Sequence, residues 1–112
     1  MIEKRLLRPE RRRRIPESFS WLDHRLIRDR RLVSCEPPAL ALYLFLVCVG
    51  DAEGLSYYGD KTIGQHLNLE SAALERARRQ LLAADLIAFA KPLYQVLDLQ
   101  APLGDRNAAA RR

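Results

Sequence analysis

Arg76 and Arg79 stand three residues apart among alanines in ESAALERARRQLLAADLI, the stretch from Glu70 to Ile87. On a helical wheel at about 100° per residue, Leu74, Ala77, Leu81 and Ala84 line one side. Ala72, Arg76, Arg79 and Ala83 lie opposite, with Glu75 and Gln80 at the edges. Such a face suits the major groove of duplex DNA. Alanines let the backbone come close, and arginine forks donate to phosphates or to O6 and N7 of guanine. Ser71 and the free N–H groups of the first turn can meet a phosphate. The same pattern also fits a solvated surface helix, with alanines for propensity and arginines for solubility.

Two charges complicate this face. A carboxylate at Glu75 is unfavourable near phosphates unless it pairs with Arg79 or accepts from cytosine N4, and the internal pair is the expectation. Arg78 falls with Leu82 at the flank of the apolar side, the wrong side for DNA. It is expected to snorkel or to pair with Glu75.

Further cations extend the candidate set. Lys61 opens the preceding helical segment, where a phosphate contact is plausible, and Lys91 sits at a hairpin tip. Arg11, Arg12, Arg13 and Arg14 form a run that can track a phosphate backbone or enter an A·T-rich minor groove. The non-specific phosphate role is the stronger of the two, and RNA would serve the run as well as DNA. Simple solvation fits each lysine taken alone.

Catalytic sets are not evident. His24 and His66 belong to different segments, and Cys35 and Cys48 have no metal-ligand spacing. Gly59 and Gly64 do not make a phosphate-binding loop. No enzyme, metal or cofactor is expected.

The charge distribution points the same way. The 112 residues carry a net +5. Residues 1–31 hold eleven Lys/Arg against five Asp/Glu, a net of +6, which leaves the remainder at −1. A basic front on a near-neutral body suggests a polyanion, nucleic acid or an anionic membrane surface, or else a solvated tail. The longest apolar run, Ala39 to Val49, has eleven residues, whereas a membrane-spanning helix needs roughly 18. No secretory signal is evident, and the two cysteines read as free buried thiols in a reducing cytosol. The expected location is cytoplasmic, in a bacterial cytosol or nucleoid.

One small domain must position these residues. Residues 1–17 read as a flexible basic arm, broken by Pro9 and Pro16, residues 18–99 as the folded domain, and residues 100–112 as a disordered tail. Phe19 to Trp21 starts extended, and a short helix follows near Asp23 to Asp29. The next helix, about Pro38 to Val49, is apolar nearly all round and so is expected at the centre. Leu55 to Gly59 reads as a brief strand. Asp60 is expected to cap a helix that runs to about Leu67, buries Ile63 and Leu67, and ends at Asn68. The arginine-bearing helix then spans about Glu70 to Ala84. Leu86 to Ala90 and Leu93 to Leu99 form a hairpin turned by Lys91 and Pro92. The class is mainly α with a small β-hairpin (α+β), in winged helix-turn-helix order.

The residues FSWLDHRLIRDRRL and ALALYLFLVCVGDAEGLSYYGDKTIGQHLNLESAALERARRQLLAADLI carry a resemblance. They resemble the winged-helix domains of phage and plasmid replication initiators and replisome organisers, which resemble bacterial winged-helix transcription regulators in turn. The carried features are the aromatic start at Phe19 and Trp21, the acidic-Gly loop of Asp51 and Gly54, the strand Leu55 to Tyr58, an Ile-x-x-x-Leu helix and a closing Asp-Leu-Ile. The resemblance covers about residues 19–98. It implies a recognition helix at Glu70 to Ala84, a wing at Leu86 to Leu99, and duplex DNA as partner. Asp85 stands where such domains commonly have Gly, and Arg78 where an apolar residue is usual. The length suits a small accessory or regulatory protein, in transcription regulation, replication or a mobile element. The alternative is a protein-interaction module or an accessory subunit of a nucleoprotein complex, with Leu82, Tyr94 and the apolar first helix offering a homodimer or partner surface.

Overall fold

The computed structural model describes residues 2–100. Residues 2–20 are exposed throughout and hold one short 3-10 turn, Pro9–Arg11. Helix α1 (Arg25–Arg28) is held at its start by Asp23, whose Oδ1 accepts the Arg25 N–H at 2.8 Å. Helix α2 (Pro37–Val49) begins on two prolines, where the missing N–H groups need no partner. Asp51 then turns the chain, its Oδ1 accepting the N–H groups of Glu53 and Leu55, each at 2.9 Å. Gly54, at φ +82°, lets that turn close on the neighbouring strand. A Cβ there would stand 2.7 Å from the Val96 carbonyl oxygen.

Strand β1 (Leu55–Tyr57) leads into α3 (Asp60–Leu67) and α4 (Ser71–Ala83). The turn between those helices passes through Asn68 in the left-handed region, φ +55°. The Leu69 N–H returns to the Gly64 carbonyl at 3.0 Å. Helix α4 ends in a Schellman motif: the N–H groups of Asp85 and Leu86 donate to the carbonyls of Leu82 and Leu81, each at 3.1 Å. Asp85 takes the left-handed position, φ +60°, that glycine commonly holds. Leu81 and Leu86, which meet across this motif, are both buried.

Strands β2 (Ile87–Ala90) and β3 (Leu93–Val96) form the expected hairpin, turned at a cis Lys91–Pro92 peptide. The sheet is larger than that hairpin. Strand β1 joins it, giving the antiparallel order β1-β3-β2. Tyr94 is the central residue, set against Ser56 on one side and Phe89 on the other. The architecture of the described residues is α+β, four helices with a three-stranded antiparallel sheet, an order compatible with a winged helix.

The core lies where α2 and α4 pack on each other and on the sheet. Leu42, Leu46, Ile63, Leu74, Leu81, Leu86 and Tyr94 fill it. Three expectations need correction. Helix α2 is not enclosed all round, because Leu40, Leu44 and Cys48 face outward. Cys48 is therefore an exposed thiol; only Cys35 is half-buried, and its pKa is raised by burial. Asp60 does not cap α3. Gly59 holds the cap position, and Asp60 is already helical, with its carboxylate committed elsewhere. The tail beyond residue 100, expected to be disordered, lies outside the described residues. No helix among them is long and apolar enough to cross a membrane.

Candidate nucleic-acid interface

Burial of Leu74, Ala77 and Leu81 fixes which way α4 faces. Ser71, Ala72, Glu75, Arg76, Arg79, Leu82 and Ala83 are turned outward. The wheel thus placed the two arginines and the alanines on one open face. Their electrostatics differ. Arg76 Nε donates to Glu36 Oε1 at 2.7 Å. Gln80 completes this corner, its Oε1 accepting the Glu36 N–H at 2.8 Å and its amide donating to the Glu36 carboxylate. The Arg76 hydrogen bond, and after it that of Gln80, holds the Glu36 carboxyl below its ordinary pKa. Arg76 therefore ties α4 to the start of α2.

Arg79 makes no ion pair among the described residues, and neither does Glu75. The expected Glu75–Arg79 pair is absent. An exposed pair of this spacing is worth only about 0.3–0.5 kcal/mol, too little to hold two long side chains against their rotamer entropy. Arg79 is left as the open cation of the face.

Arg78 corrects the sequence expectation most sharply. It neither snorkels nor pairs with Glu75. Its side chain is 12% exposed and grips Asp60 through two hydrogen bonds, of 2.9 and 3.1 Å. The same Nη1 donates to the Tyr94 hydroxyl at 2.5 Å, and the guanidinium lies over the Phe89 ring, 4.7 Å from its centroid. The Asp60 hydrogen bond raises the Arg78 pKa and lowers that of Asp60. One side chain thus joins the head of α3, the middle of α4 and both strands of the hairpin. Asp60, Phe89 and Glu36 were not singled out as site residues from the sequence, and Tyr94, expected on a partner surface, is instead buried at the centre of the sheet. The available signal was Arg78 itself: a charge on the flank of an apolar stripe must find a partner.

Lys61 is exposed in the first turn of α3, and Lys91 is exposed at the hairpin tip. Lys91 contributes to lowering the Asp60 pKa, so the tip stands within electrostatic range of the α3 head. Arg11, Arg12, Arg13 and Arg14 are exposed in the arm, and the arm's ion pair is internal, Arg8 to Glu10 at 3.1 Å. The fold gathers Ser71, Ala72, Arg76 and Arg79 on α4; among the described residues no ion pair joins Arg11 to Arg14 to that helix. No protein-family model matches this chain, and no curated protein or solved structure does either.

Proposed function

We propose that this protein is a winged-helix DNA-binding protein, non-enzymatic and cytoplasmic, that acts in transcription regulation, replication or mobile-element function. Helix α4 enters the major groove, with Arg79 foremost and Ser71 and Ala72 at its close approach. The hairpin tip at Lys91 and the α3 head at Lys61 contact phosphates on either side. The arm residues Arg11 to Arg14 add backbone contacts. The observation that supports this most is the outward face of α4: an arginine without an ion pair, Arg79, sharing that face with the small residues Ser71, Ala72 and Ala83, on a helix whose opposite side is fixed in the core. Phosphate contacts release counterions, so affinity should fall steeply with salt, by a slope of about 0.9 for each phosphate neutralised.

Fluorescence anisotropy with a labelled random duplex, at stepped salt, tests this. Arg76→Ala with Arg79→Ala is expected to weaken binding by about tenfold or more, since a charged contact contributes on the order of 1.5 kcal/mol. Thermal melting should barely move, because both side chains are exposed. Equal affinity of wild type and double variant at low salt would remove α4 from the interface. Deleting residues 2–16 should flatten the salt slope, and an unchanged slope would show that the arm touches no phosphate.

A further inference from the structure

An apolar groove of about 570 Å³ runs between α1 and α2. Leu22, Ile27, Leu40 and Leu44 line it, together with the buried Leu26 and Tyr43. Ile27 is 75% exposed and Leu44 52%. A second cleft, about 460 Å³, adjoins it: the two share Asp23 and Tyr43, and Phe19 and Trp21 line the second. Trp21 is 74% exposed. Helix α2 supplies the cause. It carries no charged residue from Pro37 to Val49, so once its inner side fills the core, the stripe left outside is also apolar.

We propose that this face is the interface of a homodimer, packed against the same face of a second copy of the chain. Its area matches that occupant. The exposed parts of Phe19, Trp21, Leu22, Ile27, Leu40 and Leu44 amount to on the order of 500 Å² of apolar surface. That is at the upper end of the largest apolar patch a typical monomer exposes, about 300–600 Å², where such patches often serve contact. A stable interface covers roughly 800 Å² per partner, of which about 65% is apolar in homodimers. The face supplies that apolar share.

Its charges also favour a second copy. Arg25 already matches Asp23 at 2.7 Å, and Arg28 has Asp29 at 3.6 Å. The α2 stripe is uncharged. That stripe meets itself across a two-fold axis without like-charge repulsion. Of the acids lining the second cleft, Asp23 and Asp98 face Arg25 and Asp51 caps its own turn, which leaves Glu53 without an ion pair among the described residues. Helix α4 packs on α2 through the inner side of that helix, so pairing through the outer stripe leaves the open face of α4 uncovered.

Sedimentation equilibrium of the full chain, without DNA, across the micromolar range tests the dimer. The expected mass approaches that of two chains. Leu44→Glu and Ile27→Glu should each return it to one, with circular dichroism unchanged because both side chains are largely exposed. A wild type that stays at one chain mass throughout overturns the proposal, as does a dimer that neither substitution weakens. A monomer that takes up an apolar dye in the groove assigns the face to another partner and equally overturns the second copy. Since DNA is absent, the outcome is separable from the DNA-binding proposal: a monomer that binds duplex keeps that function and loses this interface.

Discussion

The Arg78 guanidinium holds the Asp60 carboxylate with both arms, Nη1 to Oδ1 at 2.9 Å and Nη2 to Oδ2 at 3.1 Å, across eighteen residues of chain. This fork fixes α3 against α4, and the Tyr94 hydroxyl and Phe89 ring extend it to the hairpin. Arg78→Ala leaves a part-buried hydroxyl without its donor and an aromatic face without its cation. The expected loss is about 2–3 kcal/mol, or roughly 10–20 °C in melting temperature for a domain of this size. Arg78→Lys keeps the charge but not the fork, so it should lose about half as much. A double-mutant cycle with Asp60→Asn should give a coupling of about 1 kcal/mol, above the usual value for an exposed pair. A coupling near zero would mean that the packing on Phe89, not the fork, holds this corner.

Gly64 reverses the ordinary rule for helices. Replacing a helical glycine with alanine usually stabilises by about 1 kcal/mol. Here a Cβ would stand 2.7 Å from the Leu69 carbonyl oxygen, a backbone atom of the turn between α3 and α4. Gly64→Ala is therefore expected to destabilise by at least about 1 kcal/mol, through displacement of that turn. Urea denaturation decides it: a higher midpoint than wild type would show that the turn opens at no cost.

Arg76 is held by Glu36, and Arg79 is not held. Releasing Arg76 should therefore strengthen DNA binding. Glu36→Gln is expected to steepen the salt slope by up to about 0.9, the equivalent of one more phosphate. Its cost in stability should be small, about 0.2–1 kcal/mol, because the pair is exposed. Arg79→Ala should weaken binding more than Arg76→Ala does. If Glu36→Gln leaves the slope alone and Arg76→Ala leaves affinity alone, Arg76 belongs to the scaffold rather than to the interface.

Acid should loosen the fold at a definable point. The two-point grip of Arg25 holds the Asp23 carboxyl down from 3.8 to about 2, and Asp60 and Glu36 are lowered by Arg78 and Arg76. A carboxyl whose folded pKa is depressed stabilises fully above its unfolded value and loses that contribution as pH falls through the folded one. Melting temperature should thus hold between about pH 5 and 7 and fall between about pH 4 and 2. Asp23→Asn should start lower at neutral pH and fall less over that window. A variant curve parallel to wild type would show that Asp23 is not the group that loses its partner.

The sequence by itself determined the elements and their faces. Apolar residues recurring at helical spacing fixed the buried side of α4, with Leu74, Ala77 and Leu81 inside and Arg76 and Arg79 outside. Prolines 37 and 38, Asn68 and the Lys91–Pro92 pair marked starts, stops and turns, because backbone restrictions act within a few residues. The tertiary structure decided everything that depends on partners distant in the chain. Strand β1 needed the edge of β3, forty residues away at Leu55 and Gln95, before the hairpin became a sheet. Asp60 was drawn from a helix cap to Arg78, and Arg76 from an open face to Glu36. Helix α2, apolar on every side, gave no periodicity from which to read its exposed stripe; only the placement of α1, α4 and the sheet left Leu40 and Leu44 outside. Local pattern constrains which side of an element is apolar, whereas a charge or an apolar remainder is assigned only when another element arrives to meet it or fails to.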